Sequence, residues 1–279
     1  MNDNDLFLTN STIPLQQSEF LSFQKLIYEW AGIHMSEAKK TLIAGRLLKR
    51  LRHYNFGSYQ QYINHILSPG NEVEKQMMIN LLTTNETYFF RESQHLDYLA
   101  EKIIPAIQLS GGEKFRIWSA ASSSGQEAYS IAMILEDELG SGKWEILGTD
   151  INETVLQKAK NALYPIETAE KIPQKYLKKY CLKGVRSQEG SFTIVPELKK
   201  NIEFIKLNLN EDFPNIGFFN VVFLRNVMIY FDMETKKKLV ERIYNVLKYD
   251  GLLITGHSEN LNNISTKFKS IIPTVYRKL

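Results

Sequence analysis

The stretch FRIWSAASSSGQEAYSIAM, residues 115–133, decides the fold. It opens with a short apolar run of strand length, 115–121, then passes through Ser122, Ser123, Ser124 and Gly125. From Gln126 it continues as a helical stretch that lasts to Leu139. Strand, tight loop of small residues, and helix together make the opening half of a βαβ unit, and the small side chains let a ligand approach the backbone. A second strand over 144–148 ends in Thr149-Asp150, and Asn152 is placed to cap the helix that follows. Asp150 stands 25 residues after Gly125, about where a Rossmann-type fold sets an acid against ribose hydroxyls. A carboxylate suits that task because it accepts from both hydroxyls at once. The loop has one glycine, no P-loop lysine and no arginine, so nothing in it would hold a pyrophosphate. An adenosine ligand without phosphates fits better, with S-adenosylmethionine the leading candidate. On this pattern alone, a plain βαβ unit in which Asp150 caps the next helix stays open as the alternative.

Working outward, residues 219–224 read as another buried strand. Asp232 can cap a helix carrying Leu239, Val240, Ile243, Val246 and Leu247 on one side, with Gly251 to stop it. Residues 252–255 and 274–278 follow as strands. Strands alternating with helices imply an open, mostly parallel α/β sheet. Residues 176–208 break that rhythm: Gly184, Gly190, the β-rich 192–195 and the run 202–207 suggest a small antiparallel insertion.

Upstream, the texture is helical. Ser18 can cap a first helix that Gly32 ends, Ser36 can start a second that runs to Asn55-Phe56-Gly57, and residues 58–67 make a third. Asn71 and Glu74 have capping-box spacing and open a fourth helix through Leu82. The expected organisation is a helical domain over 1–83, a linker with a lead-in helix over 84–112, and an α/β domain over 113–279.

Bulk properties narrow the class. Of 279 residues 43% are hydrophobic, enough for a packed core and too many for disorder. The apolar run near 218–224 is far too short to span a bilayer. The opening MNDNDLFLTN has acids and no basic start, so no signal peptide is expected. The single Cys181 excludes an internal disulfide or a cysteine metal cluster, which favours a reduced cytoplasmic setting. The five histidines, 34, 53, 65, 95 and 257, lack metal-ligand spacing, so no metal is expected.

The net charge of +3 says less than its distribution. Residues 38–71 contain no acid. On a helical wheel Lys39, Arg46, Arg50 and His53 share one stripe, with Lys49 and Arg52 also in the stretch, opposite Ala44, Leu47, Leu48 and Leu51. The helix over 36–53 thus reads as amphipathic, with a core face and a basic face that carries Lys39, Arg46, Lys49, Arg50 and His53. A solvated surface helix is the plainer reading. Nucleic acid is disfavoured, since charge is near balance and no aromatic–basic interleaving stands out.

Six short stretches occur in order: TTNETYFFRE (83–92), SGQEAYS (124–130), GTDIN (148–152), Asn208-Leu209, FLRNVMIYFD (223–232) and GHSENL (256–261). Together they closely resemble the chemotaxis receptor methyltransferase family, CheR, over most of the chain. The resemblance implies a Rossmann-like S-adenosylmethionine-dependent methyltransferase sheet with a small antiparallel insertion, preceded by an all-helical domain. It implies transfer of a methyl group to glutamate carboxylates of chemotaxis receptors, with S-adenosylhomocysteine as product. The expected partner is the receptor cytoplasmic domain, whose glutamate-rich helices would meet the basic face through Lys39, Arg46, Lys49, Arg50 and His53, and the protein is expected to be a monomer that neither binds nucleic acid nor inserts in the membrane. By the same resemblance Asn85, Thr87 and Arg91 lie over the cofactor, and Glu127 receives its amino group. Asp150 takes the ribose, Asn208, Leu209, Arg225 and Asn226 complete the cofactor contacts, and Tyr230 lies near the departing methyl. The family loop A-G-C-S-T-G-E-E reads here Ala120-Ala121-Ser122-Ser123-Ser124-Gly125-Gln126-Glu127, so that Ala121 replaces a glycine and Gln126 removes a charge, while Glu127 and Asp150 are retained.

The implied chemistry is an in-line displacement at a sulfonium methyl. A glutamate, with a reference pKa of about 4.3, is ionised at neutral pH and needs no general base. Arg91 can orient a carboxylate by paired N–H bonds, and Tyr230 can present its ring or hydroxyl to the methyl group. His257 reads as a structural residue.

Overall fold

The computed structural model describes residues 13–107 and 113–279. The chain folds as two compact units that divide between Thr83 and Thr84. Among the described residues the first holds four α-helices, α1 (Gln17–Ala31), α2 (Lys40–His53), α3 (Tyr59–Leu67) and α4 (Glu72–Leu82), with a short 3-10 turn over Glu37–Lys39 leading into α2. Its core is Phe20, Phe23, Ile27, Ile43, Leu47, Leu51, Tyr59, Tyr62 and Met78, all buried. Gly32 ends α1 in the left-handed conformation, at φ 69°, and Ser58 caps α3 through the Gln61 N–H. Two expected caps differ. Gln16 rather than Ser18 caps α1, in a capping box with Glu19. Asn71 makes no side-chain cap bond; its amide donates to the His65 carbonyl, and Glu74 turns inward instead.

The second unit opens with α5 (Ser93–Tyr98), a wide turn over Leu99–Ile103 and α6 (Ile104–Ile107). The chain then alternates as the sequence suggests: β1 (Phe115–Ser119), α7 (Gln126–Leu139), β2 (Trp144–Asp150) and α8 (Glu153–Asn161). Next come β3 (Leu163–Pro165), α9 (Gln174–Tyr180), β4 (Cys181–Lys183), β5 (Ser191–Ile194), α10 (Pro196–Lys199) and β6 (Ile202–Lys206). The chain closes with β7 (Phe219–Leu224), α11 (Met233–Val246), β8 (Leu247–Thr255), β9 (Phe268–Ile272) and β10 (Val275–Lys278).

The main sheet has the order β6-β2-β1-β7-β8-β10-β9. Its first five strands are parallel, and β10 and β9 add on antiparallel. β1 and its neighbour β7 are buried on both faces, which is why apolar residues in 115–119 and 219–224 are not confined to alternate positions. A small sheet, β3-β5-β4, is antiparallel. The expected insertion over 176–208 is therefore displaced: it begins at Leu163, and the run over 202–206 is the parallel partner of β2. A short apolar run does not disclose which sheet it will join, because the pairing partner supplies that information. Gly251 lies inside β8, whose helix has already ended at Val246, and β9 had no expected counterpart. Asp232 caps α11 as expected, accepting from the Thr235 N–H at 2.8 Å. No helix among the described residues is long and apolar enough to cross a membrane.

Candidate active site

The strand order reverses between β1 and β7, and open α/β sheets bind ligands beyond the carboxyl ends of strands at such a point. The loop after β1 is tied to both neighbouring strands. The Ala120 N–H donates to the Phe223 carbonyl at 2.9 Å and the Ser122 N–H to that of Thr149 at 2.8 Å. Gly125 starts α7 at φ 92°, where a Cβ would sit 2.9 Å from that of Ala159, so both conformation and space require glycine.

Asp150, at the end of β2, is buried. Its Oδ2 accepts the Ser123 N–H and its Oδ1 the Asn152 N–H, both at 2.9 Å. Capping of α8 falls to Asn152, whose own side chain accepts from Thr154 and Val155. Asp150 thus joins two loops. Burial raises its carboxyl to about 6, even though backbone N–H donors favour the ionised form. In the same loop the Ser122 hydroxyl is buried and has no partner among the described residues. An acid acceptor, a spare hydroxyl and no cationic side chain in residues 120–127 fit a phosphate-free nucleoside ligand such as S-adenosylmethionine.

A second set centres on Arg225, just after β7, whose side chain is 2% exposed. Its Nη1 donates to Glu127 at 3.1 Å, and Glu127 also accepts from the Ser119 hydroxyl at 2.7 Å. Its Nη2 donates to the Arg91 carbonyl and pairs with Glu92 at 3.2 Å. Glu92 further accepts from the Asn226 amide at 3.1 Å and the His257 N–H at 3.2 Å. Burial works to raise the Glu92 carboxyl, but the Asn226 amide and Arg225 guanidinium outweigh it and hold it below the usual range. Arg225 is therefore occupied by protein groups and ties residues 91–92 to α7.

The Asn85 carbonyl accepts from the Ser123 hydroxyl at 2.8 Å, which lays residues 84–92 against the β1 loop. Buried Phe89 anchors that segment, together with half-buried Phe90, which stacks on Tyr176 at 5.4 Å. Thr87 is half-buried. Arg91 donates to the Glu86 carbonyl at 3.0 Å, lies over the Tyr88 ring, and forms no ion pair among the described residues. Asn208 makes a turn with Asn210 and Glu211 after β6, and the buried Leu209 gives its carbonyl to Arg242. Asn226 is left-handed at φ 57° and Tyr230 ends the turn that follows, half-buried.

Two acids escaped the sequence reading, Glu92 and Glu259. Their signal was there: each is a charged residue inside an otherwise distinctive motif. The fold also gathers His95 and His257 around Glu92, at 3.5 and 4.0 Å from Oε2, which histidine spacing in the sequence did not suggest. Arg225 already neutralises that carboxylate, so a second cation there would meet a guanidinium.

In the helical unit, two of the expected substrate contacts are engaged within the unit itself. Arg46 donates to the carbonyls of Leu81, Leu82 and Thr83 at 3.0, 3.3 and 2.9 Å, closing the end of α4. Arg50 forms a two-point pair with buried Glu74, at 2.8 and 2.5 Å, and the hydroxyls of Tyr54 and Tyr62 donate to the same carboxylate. The wheel identified a basic stripe but could not show that α4 packs upon it. Lys49 and His53 are exposed, Lys39 is half-buried, and exposed Arg52, three residues from Lys49, joins the free basic surface.

Residues 18–83 match the family model described as CheR methyltransferase, all-alpha domain, and residues 85–277 match CheR methyltransferase, SAM binding domain. The chain is 38% identical to the chemotaxis protein methyltransferase of Escherichia coli (strain K12) over 267 residues, 95% of this chain and 92% of that protein. It is also 38% identical to chemotaxis protein methyltransferase 2 of Pseudomonas aeruginosa, over 96% of this chain and 95% of the relative. The counterpart from Borreliella burgdorferi is again 38% identical, with 96% and 97% covered. The chain belongs to the CheR family of S-adenosylmethionine-dependent methyltransferases.

Proposed function

We propose that the protein transfers a methyl group to glutamate side-chain carboxylates of a chemotaxis receptor's cytoplasmic domain, forming methyl esters. The observation that carries this reading is Arg91, a guanidinium on the segment over the β1 loop with no acid partner among the described residues. Arg225, by contrast, is committed to Glu92 and Glu127. Arg91 is thus the cation free to orient an incoming carboxylate through two parallel N–H bonds. S-adenosylmethionine supplies an electrophilic methyl on a sulfonium when bound. Asp150 would accept the ribose hydroxyls, Glu127 the amino group, and Tyr230 would face the methyl. Asn85, Thr87, Asn208, Leu209 and Asn226 would frame the cofactor. A glutamate nucleophile arrives ionised, so these residues have to orient it and exclude water rather than remove a proton.

The test is chemical. Receptor cytoplasmic fragment labelled from tritiated S-adenosylmethionine should release its label as volatile methanol in mild alkali, as an ester does. Label that survives alkali would indicate N-methylation and end the glutamate reading.

Receptor recognition follows from what remains of the basic face. Exposed Lys49, Arg52 and His53 would meet an acidic receptor helix through charges screened over roughly 8–10 Å. Lys49→Glu with Arg52→Glu should raise the Michaelis constant for receptor and flatten its salt dependence, leaving S-adenosylmethionine affinity alone. Stability should change by only about 0.5 kcal/mol per site, since neither side chain is packed. An unchanged Michaelis constant and salt slope would reduce this face to a solvated surface.

A further inference from the structure

The G-H-S-E motif after β8 has no part in the chemistry above, yet it delivers a carboxylate to the turn that carries Asn226 and Tyr230. Glu259 is buried. Its Oε2 accepts the Asn226 N–H at 2.7 Å and the Gly256 N–H at 2.8 Å, while Oε1 accepts the Ile229 N–H at 3.2 Å. Its own backbone is braced as well: its N–H donates to the Gly256 carbonyl at 2.8 Å, and the Thr255 hydroxyl donates to its carbonyl at 2.9 Å.

The turn needs such an anchor. Residues 225–230 leave the end of β7 with only a single short turn of their own, so their N–H groups lack ladder partners. Asn226 is in addition left-handed, a conformation that L-residues adopt at a cost. One carboxylate answers both needs, because bonds from N–H to an ionised acceptor are about twice as strong as neutral ones. Gly256 has no room for a side chain beside it: a Cβ there would lie 2.7 Å from Glu259 Oε2 and 2.8 Å from Asn226 Nδ2.

We propose that Glu259 is a positioning residue for methyl transfer, holding the Asn226–Tyr230 turn in register with the cofactor pocket by accepting three backbone N–H groups. This rests on the placement of Tyr230 near the methyl group in the reading above. The cofactor acids do not depend on it. Asp150 is held by Ser123 and Asn152, and Glu127 by Ser119 and Arg225. Loss of Glu259 should therefore act mainly on turnover, with cofactor affinity reduced only by the share that Asn226 contributes.

The test is Glu259→Gln in the full chain, assayed with receptor fragment and by calorimetry with S-adenosylhomocysteine. Glutamine sets an NH2 group against at least one backbone N–H, donor against donor. Turnover should fall roughly 10–100-fold, the penalty of a misplaced reacting environment, with the dissociation constant changed no more than about threefold. In a Tyr230→Ala background the same substitution should cost little more, because positioning acts through that side chain. Should Glu259→Gln fail to fold, Gly256→Ala displaces the same carboxylate with its charge retained and should reproduce the split. Unchanged turnover, turnover and cofactor affinity lost in parallel, or additive loss with Tyr230→Ala would each overturn the proposal. A base-stable label from the wild type counts against the ester reading alone, because the comparison of variants holds whichever acceptor takes the methyl group.

Discussion

Arg50→Glu is expected to destabilise the helical unit by about 3–5 kcal/mol, the cost of breaking a buried ion pair from one side. The pair is inside the unit: the Glu74 side chain is 6% exposed and Arg50 20%. Reversal would set two carboxylates against each other and leave the Tyr54 and Tyr62 hydroxyls donating to a site of excess negative charge. Burial alone would raise the Glu74 carboxyl, but bonds from Arg50, Tyr62 and Tyr54 hold it below the usual range. Its contribution to stability is accordingly present above the ordinary carboxylate pKa and lost as pH falls through the lowered one. A circular dichroism melt of the full chain should show early loss of helix in Arg50→Glu, with the exposed double variant at Lys49 and Arg52 melting like wild type. If Arg50→Glu melted with wild type, Arg50 would be a surface residue after all. The two results separate a fold defect from a recognition defect, which a charge reversal at Arg46 and Arg50 would confuse.

The second expected result concerns Asp150. Under the ribose assignment Asp150→Ala should weaken S-adenosylmethionine binding by roughly 1–3 kcal/mol, the loss of hydrogen bonds to a buried acceptor. The acidity of this group adds a pH signature. Its folded value, about 6, lies above the ordinary 3.8 because the carboxyl is buried. The free protein therefore loses stability as pH rises from about 4 through 6, by at most roughly 3 kcal/mol. Hydroxyl donors from a ligand favour the carboxylate, so they pull that value back down. Affinity should consequently be flat above about pH 6 and fall below it, by up to about tenfold per pH unit. Asp150→Asn should bind weakly and without that pH dependence. Calorimetry between pH 5 and 8 checks both, and an affinity in Asp150→Ala equal to wild type would remove the residue from the site.

Much of the α/β unit is legible because its determinants are local. The loop 120–125 can be recognised since small residues and Gly125 are needed wherever a chain turns sharply with little space. The caps at Asn152 and Asp232 announce themselves because each bonds to an N–H two or three residues away. Family motifs extend that reach, since they encode residues already selected to meet. Arg91, Glu127, Asp150 and Tyr230 could be nominated on that ground without knowledge of their neighbours.

What the sequence determined by itself, then, is element type, the family and the short-range turns, where cause and effect lie within a few residues. The tertiary structure alone decided partners. It assigned the run 202–206 to the main sheet, since edge pairing depends on the exposed side of β2. It turned Arg50 inward, since the acid it needs lies 24 residues away on another helix. It joined Glu92 to Arg225 across 133 residues and Glu259 to Asn226 across 33. A charge in a sequence carries no record of which distant charge will neutralise it. Burial makes that pairing obligatory, and only the packed fold determines which groups are buried together.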